Sequence, residues 1–117
     1  MSMVKRDGIF LEKILEEVIV AVDLIKGLDY PAFENNEMAK RAVCMTLINI
    51  GELAKGLSSD FRQSNTDIPW RSIIGLRDIA AHKYKSLRMD FVWEVATQDI
   101  PMLQNQIINI LDANKAE

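Results

Sequence analysis

Cysteine and histidine are almost missing from this sequence: there is one of each, Cys44 and His82. A lone cysteine excludes a disulfide within the chain, and one cysteine with one histidine falls short of a Cys/His zinc site. No structural metal and no cofactor is expected. Long apolar runs are missing too. In the first helical region the longest covers residues 18–22, far below the ~18 residues that cross a bilayer, so no membrane span is expected. The opening residues meet charge before any stretch of signal-peptide length, which points to the cytoplasm. Period-two alternation over strand length is absent, which argues against a sheet. Nor is there the low-hydrophobicity, high-charge pattern of disorder: 49% of residues are apolar and 26% charged. With 117 residues the chain makes one domain, residues 1–117, able to bury about two thirds of its unfolded surface.

Apolar positions recur at the helical spacing of three and four. One stripe through Leu11, Ile14/Leu15, Val18, Val22, Ile25 and Leu28 predicts a long first helix over residues 5–28. Breakers follow at Gly27, Asp29, Tyr30 and Pro31, and Asn35/Asn36 before Glu37 form an N-cap signal for a second helix. That helix carries Ala39, Val43, Thr46/Leu47, Ile50, Leu53/Ala54 and Leu57. Residues 58–67 are polar and aperiodic, a loop with at most a short turn near Phe61. Asp67-Ile68-Pro69 restarts the chain, and Trp70, Ile73/Ile74, Arg77 and Ala81 continue a stripe. A last helical region from about Asp90 meets Asp99-Ile100-Pro101, where a kink or break is expected. The fold class is all-α, most simply a four-helix bundle with a short third helix.

The net charge of −3 argues against a protein coated in nucleic acid, but the charge is uneven. Between residues 71 and 88, the bases Arg71, Arg77, Lys83, Lys85 and Arg88 face one acid, Asp78, a local +4. This island is where an anionic ligand is expected. Within it the run Arg77-Asp78-Ile79-Ala80-Ala81-His82-Lys83-Tyr84 gathers three functional side chains in eight positions. Arg77 shares a stripe with Trp70 and Ile73, where a charge needs a partner or a pocket. Asp78 and His82 share one helical row, so Asp78 could hold the imidazole; Arg77 and Tyr84 share another. An arginine fork suits phosphate oxygens, and histidine transfers protons both ways near neutrality. No aspartate-rich cluster accompanies them, so a metal-independent mechanism is favoured. A bland reading competes: cations at a helix end complement its dipole. Glu52 is a candidate ion-pair partner for Arg77, Trp70 and Trp93 are core anchors before they are stacking platforms, and Cys44 is a small buried hydrophobe.

The run over residues 77–84 fits Arg-x-x-x-x-His-x-Tyr, and the chain resembles the HepT-like proteins, a prokaryotic branch of the HEPN superfamily. Ile50-Gly51-Glu52-Leu53-Ala54-Lys55 resembles that family's second-helix segment, and residues 68–77 resemble its approach to the motif. Lys5-Arg6-Asp7 and Val92-Trp93 with Pro101 also fit, so the resemblance spans nearly the whole chain. It implies an antiparallel helical bundle that dimerises, with the motifs of two subunits lining one cleft. It further implies a metal-independent ribonuclease, the toxin of a type VII toxin–antitoxin pair, silenced by an MntA-like nucleotidyltransferase that transfers AMP to the motif tyrosine. By position Arg77 and His82 become the catalytic pair and Tyr84 the modified residue; Asp78, Lys83, Lys85 and Glu52 are expected, from their own charge and place, to support the site or bind RNA. Asp78 departs from the asparagine often found after the motif arginine. The rival expectation is a non-catalytic module that binds a nucleotide or the nucleotidyltransferase, and a third is a purely structural helical dimer.

Overall fold

The structure is a computed structural model that describes residues 3–85 and 88–116; the side chains of Lys83, Tyr84, Lys85 and Ala116 lie outside the described set. Every element among the described residues is helical. Helix α1, Lys5–Ile25, buries Leu11, Ile14 and Val18 of the predicted stripe, and then Ala21 where the pattern pointed to Val22, which is only partly buried. It stops three residues earlier than the pattern suggested, because Gly27 turns the chain with φ +80°, a conformation that costs glycine little. Asp29 then caps a helix that the sequence pattern did not resolve: α2, Tyr30–Glu34, with the Asp29 carboxylate accepting from Ala32 N at 3.0 Å. Pro31 sits in its first turn, where no N–H is needed. The one core residue of α2 is Phe33, fully buried, its ring 5.1 Å from that of Trp93.

Helix α3, Glu37–Lys55, is capped by Asn36, whose side chain accepts from Ala39 N at 3.0 Å. Its buried residues, Ala39, Val43, Cys44, Thr46, Leu47, Ile50, Gly51 and Ala54, cover more than one stripe. The breadth reflects its place between α1 on one side and the third helical region on the other. Buried Thr46 is satisfied by donating to the Val43 carbonyl at 2.6 Å. The expected loop after α3 contains a further short helix, α4, Ser59–Ser64. Its N-cap Ser58 ties it to the start of α1: Asp7, 2% exposed, accepts from Ser58 N at 2.8 Å and Ser58 Oγ at 2.6 Å. Ser58 Oγ in turn accepts from Phe61 N. This clamp joins residues 51 positions apart and sets α1 antiparallel to α3.

The third helical region is split at Gly75 into α5, Trp70–Ile74, and α6, Leu76–Lys85. The last region is a near-continuous rod: α7, Met89–Glu94, a π-helical turn, Val95–Asp99, and α8, Ile100–Ala116. The break anticipated at Pro101 is thus a widening. The Ile100 N–H reaches back to the Val95 carbonyl, five residues away instead of four, just before a proline that has no N–H to offer. Thr97 Oγ1 donates to the Trp93 carbonyl at 2.8 Å in the same stretch. Leu103, Ile107 and Leu111 of α8 are buried, and α8 packs along α1. The result is an antiparallel four-helix bundle, 46 × 26 × 20 Å, with α2 and α4 as short additions.

Candidate functional site

The approach to α6 is built by packing. Ile68 is buried, Pro69 occupies the N-cap position, and the Trp70 indole donates to the Asn65 carbonyl at 2.9 Å while its ring lies 5.8 Å from Phe61. Trp70 is therefore a core anchor. So is Trp93, half-buried against Phe33 and Tyr30. After Gly75 the buried row passes to Leu76 and Ala80. This differs from the expected stripe through Arg77: the guanidinium sits beside that row, with its side chain 55% exposed.

Arg77 does have a partner. Helix α3 brings the Glu52 carboxylate to 2.5 Å from Arg77 Nε, and Asp78 Oδ1 accepts from Arg77 Nη1 at 3.3 Å. The two helices come together at Gly51. A methyl group there would lie 2.8 Å from the Arg77 backbone nitrogen and 2.9 Å from the Ile74 carbonyl oxygen, so only glycine fits without displacement. His82 is exposed. The expectation that Asp78 holds its imidazole is not met: among the described residues Asp78 bonds its neighbour Arg77 and makes no contact of that kind with His82.

Arg77 and His82 are five residues apart on α6, which separates them by about 140° around the axis and about 7.5 Å along it. Both reach solvent, but from different sides of the helix. Tyr84, Lys83 and Lys85 fall in the last turn of α6 and their side chains lie outside the described residues. Of the remaining basic island, Arg71 is exposed and Arg88 bonds Asp90 at 3.2 Å. That hydrogen bond raises the Arg88 pKa and holds the Asp90 carboxyl below its ordinary value. The local +4 of the sequence is thus partly neutralised by Glu52 and Asp90. Burial pushes the Cys44 thiol up to about 11, which keeps it out of any nucleophilic chemistry near neutrality.

Beside Glu52, the groove between α1 and α3 is lined by Lys13, Glu16, Glu17 and Asn49, with Asn49 donating to Glu17 at 3.0 Å. None of these had a motif to single it out. A larger cavity of about 650 Å³ opens at the Asp7–Ser58 clamp, with Phe61 and Ile110 in its wall. Among the described residues, none of the run over residues 77–84 lines it. Among the described residues, no three His, Cys, Asp or Glu side chains come together as metal ligands, and no helix is long and apolar enough to cross a membrane.

An all-α bundle whose short third helix presents an arginine and a histidine five positions apart, the arginine met by a glutamate from the preceding long helix, defines a class of small helical domains with a polar site on one helix. The particular family follows from sequence comparison. The family model described as "Ribonuclease HepT-like" matches residues 13–110, and the chain belongs to the HepT-like family. "Putative RNase MJ1380" of Methanocaldococcus jannaschii is 35% identical over 106 residues, covering 90% of this chain and 97% of that protein. "Putative RNase TTE0752" of Caldanaerobacter subterraneus subsp. tengcongensis is 33% identical, covering 91% and 95%. "Probable ribonuclease HepT" of Thermococcus cleftensis is 28% identical, covering 83% and 88%. No solved structure matches.

Proposed function

We propose that this chain is an RNA endonuclease that uses Arg77 and His82, needs no metal ion and acts as a homodimer. We further propose that it is the toxin of a toxin–antitoxin pair and is silenced when an MntA-like nucleotidyltransferase transfers AMP to Tyr84. The observation that carries the reading is the exposed Arg77 and His82 of α6 in a chain whose relatives are named as RNases.

In the reaction the 2′-hydroxyl of RNA attacks the adjacent phosphorus, a new P–O2′ bond forms and the P–O5′ bond breaks. One group must take the 2′ proton, another must protonate the departing 5′ oxygen, and a cation must face the charge that gathers on the phosphorane. A single subunit has one histidine. It also holds Arg77 and His82 on different sides of α6, so neither the proton count nor the geometry closes within one chain. A twofold dimer supplies a second His82 and a second Arg77 to a shared cleft. AMP on Tyr84, two residues beyond His82, would add a phosphate charge and a base at that cleft and repel RNA phosphates.

The test is cleavage of a mixed tRNA and mRNA pool by the purified protein in EDTA, with His82→Ala alongside. Cleavage by the wild type and its loss in the variant is the expected result. No cleavage by a dimeric wild type shown by intact mass to carry no AMP would refute the endonuclease and leave the nucleotide- or partner-binding module.

A further inference from the structure

Among the described residues, Glu52 is the only one from another helix that pairs with the Arg77 guanidinium, and the contact is built into the backbone. Gly51 precedes it, and at Gly51 helix α3 touches the Arg77 backbone so closely that no side chain fits between them. The Cα of Arg77 is therefore fixed relative to the Cα of Glu52. From that fixed base the Glu52 carboxylate meets Arg77 Nε at 2.5 Å, while both side chains stay about half exposed, 54% and 55%. The guanidinium is anchored and still accessible. Lys13 lines the same groove but makes no ion pair with Glu52 among the described residues, so the carboxylate is directed to Arg77.

We infer that Glu52 is a positioning residue for Arg77, which it holds where a phosphate of bound RNA will meet it, and that Gly51 is the condition for that arrangement. The inference rests on the endonuclease reading above. Half-exposed ion pairs contribute little to stability, so a structural role would be nearly silent. Positioning is different, because displacement of a reacting group by about 1 Å costs up to about a hundredfold in rate. Glu52 also competes with RNA for the same cation, so its removal should not weaken substrate binding.

The experiment compares wild type, Glu52→Gln, Glu52→Ala, Arg77→Ala and the double variants, with kcat and KM measured on one RNA oligonucleotide. Loss of the Glu52 carboxylate should lower kcat about tenfold or more, leave KM unchanged or lower, and cost nothing further once Arg77 is alanine. A second readout needs no cleavage: the Arg77 Nε–H signal in a ¹⁵N–¹H spectrum, assigned through Arg77→Ala, should shift on Glu52→Gln toward the position of solvated arginines. An unchanged kcat in both Glu52 variants, an equal loss in the Arg77→Ala background, or an Arg77 signal that ignores Glu52→Gln overturns the inference. If the wild type does not cleave RNA, the endonuclease reading falls instead, and the Nε–H comparison still decides the role of Glu52.

Discussion

Replacing Asp7 by alanine removes a buried carboxylate that serves two donors of Ser58, the backbone N–H at 2.8 Å and the hydroxyl at 2.6 Å. Hydrogen bonds to a charged group contribute about 1.5–3 kcal/mol each, so the two together are worth about 3 kcal/mol or more. Two effects reduce the cost. Alanine no longer has to keep a charge out of water, and Ser58 borders the open cavity beside α4, so solvent can reach the donors that lose their partner. A net loss of about 2 kcal/mol remains. For a chain of this length that corresponds to a melting temperature lower by about 8 °C. Because association would raise the apparent stability, wild type and variant must be unfolded by urea at the same protein concentration. Ser58→Ala and the double variant complete a cycle whose coupling should be about 1–2 kcal/mol. Asp60→Ala, an exposed neighbour on the same cavity, should change stability by less than about 0.5 kcal/mol. If Asp7→Ala falls in that same small range, the clamp does not hold the end of the bundle together and the argument fails.

Gly51→Ala gains about 1 kcal/mol of helix propensity but drives a methyl against the Arg77 nitrogen and the Ile74 carbonyl, an overpacking of about 1–3 kcal/mol; a lower melting midpoint is expected, and an increase would refute the close approach. Asp78→Asn removes a negative charge 3.3 Å from Arg77 and should tighten binding of a non-cleavable RNA by about two- to fivefold at low salt, with the gain fading as salt screens it; weaker binding in a filter assay would contradict this. The Cys44 thiol, with its pKa raised to about 11 by burial, should resist iodoacetamide at pH 8 in the folded protein and react once urea unfolds it, as read by intact mass. Rapid labelling of the folded chain would show that the site is open.

The bundle was legible in the sequence wherever a helix buries one face. The stripe of α1 and the Asn36 cap of α3 needed only spacing and one side chain. What escaped the pattern was short or local: α2 and α4 have five and six residues, too few for a period, and α2 carries in its first turn a proline that reads equally as a turn signal. The split at Gly75 shifted the buried row from Arg77 to Leu76 and Ala80, because the periodic reading assumed one unbroken helix. In the site, the Arg77, His82 and Tyr84 positions follow from the motif, and the Glu52 pairing was one of the options that the residues left open. The Gly51 contact was not visible, since only the crossing of two helices turns a glycine into a requirement. The same holds for Asp7 and Ser58, an acid at the entry to the first helix and the first residue of an expected loop, which give no sign of each other until the chain brings them together.

The π-helical turn at Val95–Asp99 makes chain length itself a structural variable. A π turn holds one residue more than the α-helical turn it replaces, and each helical residue rotates the remainder of the rod by about 100°. The extra residue is taken up inside the turn, and the rod it interrupts serves two clients: α7 meets α2 and α6, while α8 meets α1. Deleting a single exposed residue in the turn, Gln98 for instance, would let the wide turn close to an ordinary α-helical one and keep the α8 row of Leu103, Ile107 and Leu111 facing α1, whereas the same deletion a turn later, within α8, would swing everything after it by more than a quarter turn. The turn is a reserve of one residue in the rod: a deletion there is absorbed, and a deletion in the α-helix that follows is a core mutation made from the surface.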